Sequence, residues 1–128
     1  MRNYILCAFC LLIFGCDEKI KNELTPKELE IDASEHNVEI YATRKIQMIR
    51  INSTGGAKSS KPEYSDGIIM FKESWFSVRV NRNNPDSCNV LKFHNKKNDS
   101  GGKRVISFRV FGKAHRQNPI GYITQNAQ

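Results

Sequence analysis

The chain is poor in the residues that do covalent and metal chemistry. It has four cysteines, three histidines and one tryptophan in 128 residues. His36, His94 and His115 stand alone, with no HExxH, HxH or closely paired Cys/His spacing, so the usual metal constellations are missing. No serine lies in a nucleophile-elbow context. Glycosidase chemistry needs two positioned carboxylates. Asp66 and Glu73, flanking one apolar run, are the least unfavourable pair, and turn or surface roles account for them better. The sequence therefore gives no case for an enzyme and implies no cofactor and no metal. Long hydrophobic runs are also scarce. Residues 4–14 are apolar but too short to span a bilayer, and no second such stretch follows.

That one apolar run ends in Gly15-Cys16, followed by Asp17-Glu18-Lys19. A small residue before a cysteine after such a segment resembles the lipobox of bacterial lipoproteins. An ordinary cleaved secretory peptide is the alternative, since Phe14 is bulky for its place. On the lipoprotein reading, residues 1–15 are a signal peptide, Cys16 is the lipid attachment site, and residues 16–24 form a lipidated flexible tether to a domain over 25–128. The protein then sits in the cell envelope, on the outer membrane or cell surface, held to the membrane by its N-terminal lipid. Cys7 and Cys10 leave with the signal and Cys16 carries lipid. Cys88 remains unpaired, expected to be buried and inert, and the fold must rest on its apolar core.

Charge is uneven. The formal net charge is +7, yet residues 17–45 hold eight acids against five bases, and residues 46–128 five acids against fourteen bases. An acidic lead before a basic domain suits contact with anionic polymers. Nucleic acid is a poor partner for an exported lipoprotein, which leaves a polyanionic glycan or a plainly solvated surface. Lys96-Lys97, Lys103-Arg104 and Lys113 fall at turns and strand ends, as a solvated surface would have them. The sequons Asn52-Ser53-Thr54 and Asn98-Asp99-Ser100 carry no information behind a bacterial leader.

The remainder reads as strands. Leu29, Ile31 and Ala33 alternate with acids, Val38, Ile40 and Ala42 repeat the pattern, and Ile49 and Ile51 follow. A long polar loop over residues 52–66 ends at Asp66-Gly67. Apolar residues 67–71 come next, then Phe76, Val78 and Val80, then Leu91 and Phe93. Ile106, Phe108 and Val110 form the cleanest alternation, and Ile120-Gly121-Tyr122-Ile123-Thr124 closes the series. Seven or eight short strands between turn signals, without helical periodicity, predict an all-β protein, a β-sandwich rather than the alternative eight-stranded barrel.

The succession Trp75-Phe76-Ser77-Val78, Val90-Leu91-Lys92-Phe93-His94-Asn95, Arg104-Val105-Ile106-Ser107-Phe108-Arg109-Val110 and Ile123-Thr124-Gln125-Asn126-Ala127 resembles a BACON domain. Leu24-Thr25-Pro26 through Ala33 resembles the opening strand of these modules, whereas residues 46–74 match least. The resemblance implies an immunoglobulin-like sandwich on exported proteins of Bacteroidetes, commonly beside glycan-active domains, with a carbohydrate-binding role. This copy is expected to stand alone, so neighbouring enzymes lend its function no support.

The expected function is thus a non-catalytic surface module that binds carbohydrate. Sugar rings present apolar faces that stack on aromatics. Trp75, with Tyr64 and the nearby Arg79 and Arg82, forms the candidate ligand-binding set, and Arg104 and Arg109 could join if the sheets bring them together. Trp75 could equally be a core plug, and Tyr41 shares a strand with Val38, Ile40 and Ala42 but faces the other way. The alternative is a structural or adhesion module that contacts other surface proteins, through loops or a sheet edge. An exposed aromatic cluster favours the first reading and a buried Trp75 the second.

Overall fold

The computed structural model describes residues 21–54, 61–113 and 118–128. Cys16 and the leader, His115 and residues 55–60 lie outside them. Ten strands and no helix are found among the described residues. They are β1 (Leu24–Thr25), β2 (Glu28–Ile31), β3 (His36–Ala42), β4 (Met48–Ser53), β5 (Glu63–Ser65), β6 (Ile68–Lys72), β7 (Phe76–Asn81), β8 (Val90–Asn95), β9 (Arg104–Phe111) and β10 (Ile120–Gln125). Period-two alternation explains most of them: in β3, Val38, Ile40 and Ala42 are buried while Glu39 and Tyr41 are exposed. In β9, Ile106, Phe108 and Val110 are buried as the alternation predicts.

The strands form two sheets, one ordered β2-β10-β9-β4 and the other β1-β3-β8-β7-β6-β5. All pairings are antiparallel except β2 with β10. Both sheets contribute to one apolar core. Phe93 from the six-stranded sheet and Phe108 from the four-stranded sheet meet with ring centroids 5.0 Å apart. Gly121 lies opposite Phe108 in the β9/β10 register. A Cβ there would fall 2.5 Å from the Phe108 ring and 3.0 Å from Leu24, so only glycine lets the ring lie flat at this point.

The registers define two ends of the molecule. The entry end carries β1 against Ala42, the start of β8 and the junction of Phe111 with Met48. The far end carries the start of β3 against Asn95, the start of β7, and Arg104 against Gln125.

Two short strands exceed the seven or eight expected from the sequence. β1 straddles the boundary drawn between tether and domain: Leu24, the last residue assigned to the tether, is buried in the core, and Asn22 within the tether segment is buried too. β5 falls within the segment assigned to the long loop and forms a hairpin with β6. Its turn is Asp66-Gly67, with φ of 52° and 80°, and a Cβ at Gly67 would overlap the Asn83 side chain. Neither strand has an alternating pattern long enough to betray it. Cys88 is half-buried, its thiol 3.7 Å from the Pro85 carbonyl.

Candidate ligand-binding surfaces

The structure separates the residues that the sequence grouped. Trp75, immediately before β7, is 5% exposed and belongs to the core. Its ring packs on Phe76 at 4.7 Å between centroids, its carbonyl accepts a hydrogen bond from the Lys96 amide, and the Arg104 guanidinium lies 4.9 Å over its face. It is not an exposed stacking platform. Arg82 follows β7 at the other end of the strand, about 20 Å away at the usual strand rise.

Arg82 and Tyr64 do meet. The guanidinium lies 5.8 Å from the centre of the Tyr64 ring and donates to the Gln47 carbonyl at 3.4 Å. The Tyr64 hydroxyl accepts from the Ile49 amide at 3.2 Å and donates to the Ile49 carbonyl at 3.3 Å. These two side chains therefore hold the edge of the six-stranded sheet to the outer strand β4 of the other. Arg79 is exposed in mid-strand, opposite Met70 and Lys92. Arg104 stands at the far end and Arg109 on the outer face of the four-stranded sheet, so the four arginines do not converge.

Asp66 and Glu73 lie beyond opposite ends of β6, about 20 Å apart by strand rise, too far for the carboxylate separations used in glycoside hydrolysis. One local cluster has the composition of a hydrolytic triad. Asp32 Oδ1 is 2.7 Å from His36 Nε2, and Ser34 Oγ is 3.2 Å from the same nitrogen and 2.5 Å from Asp32 Oδ1. A proton relay needs the acid and the hydroxyl on different ring nitrogens. Here both use Nε2, and the cluster is a turn lock. Hydrogen bonds from Ser34 and then from His36 lower the Asp32 carboxyl from its ordinary 3.8 to about 2. Among the described residues, no group of three or more His, Cys, Asp or Glu side chains could hold a metal ion.

Beneath the far end runs a buried polar network that the sequence did not reveal. Asn98 is fully buried. Its side-chain amide donates to the carbonyls of Gly102 at 2.8 Å and Asn126 at 3.0 Å. Its Oδ1 accepts from the Ser100 hydroxyl at 2.6 Å and from Arg104 Nε at 2.8 Å. Gln125, also fully buried, donates to the carbonyls of Ser34 at 3.0 Å and Lys96 at 2.9 Å. Together they fold the β8/β9 loop back on itself.

The exposed aromatic map leads to another surface, the outer face of the four-stranded sheet. Of the exposed tyrosines, Tyr41 donates to Glu39 at 2.6 Å and Tyr64 is tied to Ile49. Tyr122, on β10, stands in the middle of a cross-strand row, Glu28, Tyr122, Ser107, Asn52. The adjoining row is Ile120, Arg109, Arg50. Two shallow depressions flank the tyrosine. One of about 410 Å³ has Glu28, Glu30, Lys103 and Thr124 at its walls. The other, of about 280 Å³, has Arg50, Asn52, Ser107 and Arg109. The signal in the sequence was the alternation of β10, which sets Tyr122 on the face opposite Gly121 and Ile123. No pattern said that β2, β9 and β4 would gather polar side chains around it.

No protein-family model matches the chain, and no curated protein matches it. Among solved structures, a protein from Bacteroides thetaiotaomicron studied by NMR is similar in fold, with TM-score 0.52 and 17% identity over 80% of this chain and 77% of that one. A Bacteroides ovatus GH5 xyloglucanase in complex with a XXXG heptasaccharide aligns with TM-score 0.44 and 15% identity over 80% of this chain and 17% of its own, and carries no argument.

Proposed function

We propose that the chain is a non-catalytic binding module, an immunoglobulin-like β-sandwich of the BACON type borne on a lipid-anchored envelope protein, and that it holds carbohydrate on the outer face of the four-stranded sheet. The observation that carries this reading is Tyr122. It is an exposed ring, 40% accessible, at the centre of a face whose neighbours are hydrogen-bonding side chains. A sugar ring lays its apolar face on an aromatic and meets polar groups around its rim, which is the chemistry that Glu28, Glu30, Thr124, Ser107, Asn52 and Arg109 offer around this ring. The lipobox-like Gly15-Cys16 supplies the anchor in this reading, and Cys16→Ser should abolish metabolic acylation of the chain.

Calorimetry of the full chain against a panel of neutral and acidic oligosaccharides tests the site. Tyr122→Ala should weaken a positive ligand by about tenfold, the order expected for loss of one stacking ring. An unchanged affinity would remove Tyr122 from the site. The alternative, a structural or adhesion module, draws on the burial of Trp75 and on exposed Met48, opposite Phe111 at the margin of the same face. A reproducible crosslinked protein partner, with no oligosaccharide bound, would favour it.

A further inference from the structure

The far end of the molecule carries a second surface of different chemistry. A cleft of about 570 Å³ is bordered by Trp75, Lys96, Lys97, Lys103, Arg104 and Asp99. Lys96 and Lys97 enter the β8/β9 loop and Lys103 and Arg104 leave it. The bonds from Asn98 bring the two basic pairs to the same opening. Asp99 is the one carboxylate at its walls. Among the described residues, none of the four cations forms an ion pair with a carboxylate; the ion pairs found there are His36 with Asp32 and His94 with Glu35. Like charges gathered in one cleft repel one another, and a bound anion relieves that repulsion.

The donors are set for an acceptor. Arg104 uses Nε on Asn98 and one terminal nitrogen on the Lys97 carbonyl at 3.1 Å, which fixes the plane of the guanidinium and leaves further N–H groups for a ligand. Trp75 borders the cleft, and its indole N–H is buried with no hydrogen-bond partner among the described residues. Lysines as point charges and a preoriented guanidinium suit an oxyanion that only accepts hydrogen bonds.

We propose that this cleft binds the sulfate or phosphate ester groups of an acidic polysaccharide. Position argues against the anchoring bilayer as the source of the anion, because the cleft lies at the end opposite to the one where β1 enters, about 20 Å along the strands. Lys103 borders both the cleft and the depression beside Tyr122, so a sugar chain on that face continues into the basic end. The polysaccharide carrier rests on the carbohydrate reading above, whereas the anion site rests on the cleft alone.

The test uses the full chain in neutral detergent, titrated with inorganic sulfate, a sulfated disaccharide, its unsulfated counterpart and vesicles containing phosphatidylglycerol. Trp75 is the sole tryptophan, so its indole N–H gives one unambiguous NMR signal at the cleft. The sulfated sugar should bind more tightly than the unsulfated one, shift the indole signal and weaken as salt rises. Lys96→Gln with Lys97→Gln, both exposed and remote from Tyr122 in the register, should weaken it by about fivefold, two solvated ion pairs' worth. Retained sulfate-dependent binding in Tyr122→Ala would support the cleft as a separate site even if the sugar reading of the sheet face fails. Equal affinity for the two sugars, no effect of the double lysine substitution, inorganic sulfate bound without the sulfated sugar, or vesicles captured through these lysines without it would each overturn the proposal.

Discussion

The two ends of the molecule use the same residue types for opposite purposes. At the entry end, Tyr64 and Arg82 are turned onto backbone groups of Ile49 and Gln47, and their polar atoms hold one sheet to the other. At the far end, uncharged Asn98 and Gln125 do much of the holding from within, Arg104 bonds to Asn98 and the Lys97 carbonyl, and among the described residues Lys96, Lys97 and Lys103 form no ion pair. An arginine or an aromatic is therefore no guide to a binding site by itself. The contrast lies in which groups carry the structural bonds: Tyr64 and Arg82 at one end, and mainly the buried amides at the other.

Substitutions can break this contrast in order of severity. Phe108→Ala should be the harshest, at about 3–5 kcal/mol for an enclosed ring, and because Phe108 packs between the sheets it should lower hydrogen-exchange protection at both ends together. Asn98→Ala should cost about 2–3 kcal/mol, since several buried partners lose their bonds at once, with the loss of protection confined to the β8/β9 loop and the end of β10. Equal loss at the entry end would show that the two ends are one cooperative unit. Tyr64→Phe keeps the ring and removes the hydroxyl, and chemical denaturation should register about 1 kcal/mol, with faster exchange of the Ile49 amide.

The smallest effect comes from pH. The Asp32 carboxyl is lowered on folding by its bonds from Ser34 and His36, so its contribution is complete above the ordinary value of 3.8 and fades as pH falls toward about 2. The protection factor of the Ser34 amide, whose N–H donates to Asp32 at 2.9 Å, should fall across that window while that of Ile49 is unaffected. A shift at Ile49 over the same range would tie the ends together.

Strand content was legible wherever side chains alternate for five residues or more. Ile106, Phe108 and Val110, or Val38, Ile40 and Ala42, each announce a buried face, because a two-residue period has one geometric meaning. Glu63-Tyr64-Ser65 is exposed throughout and pairs only because the Asp66-Gly67 turn folds it onto β6, which no alternation could announce. The site was harder to read. Lys96-Lys97 and Lys103-Arg104 stand out as basic pairs in the sequence, but their convergence depends on the turn that Asn98 ties between them. Trp75 was rightly suspected as a core plug and also sits at the cleft margin, a double position that one dimension cannot express. Tyr122 was visible as a strand residue, and its neighbours come from three other strands.

The bond between Tyr64 and Ile49 has a meaning beyond the single chain. An outer strand with bare amides and carbonyls recruits the same strand of a neighbouring copy. One phenol occupies both the N–H and the C=O of Ile49, in the second position of the exposed strand β4. Where copies of the chain come close together, that hydroxyl denies a neighbour the start of a shared ladder at this edge.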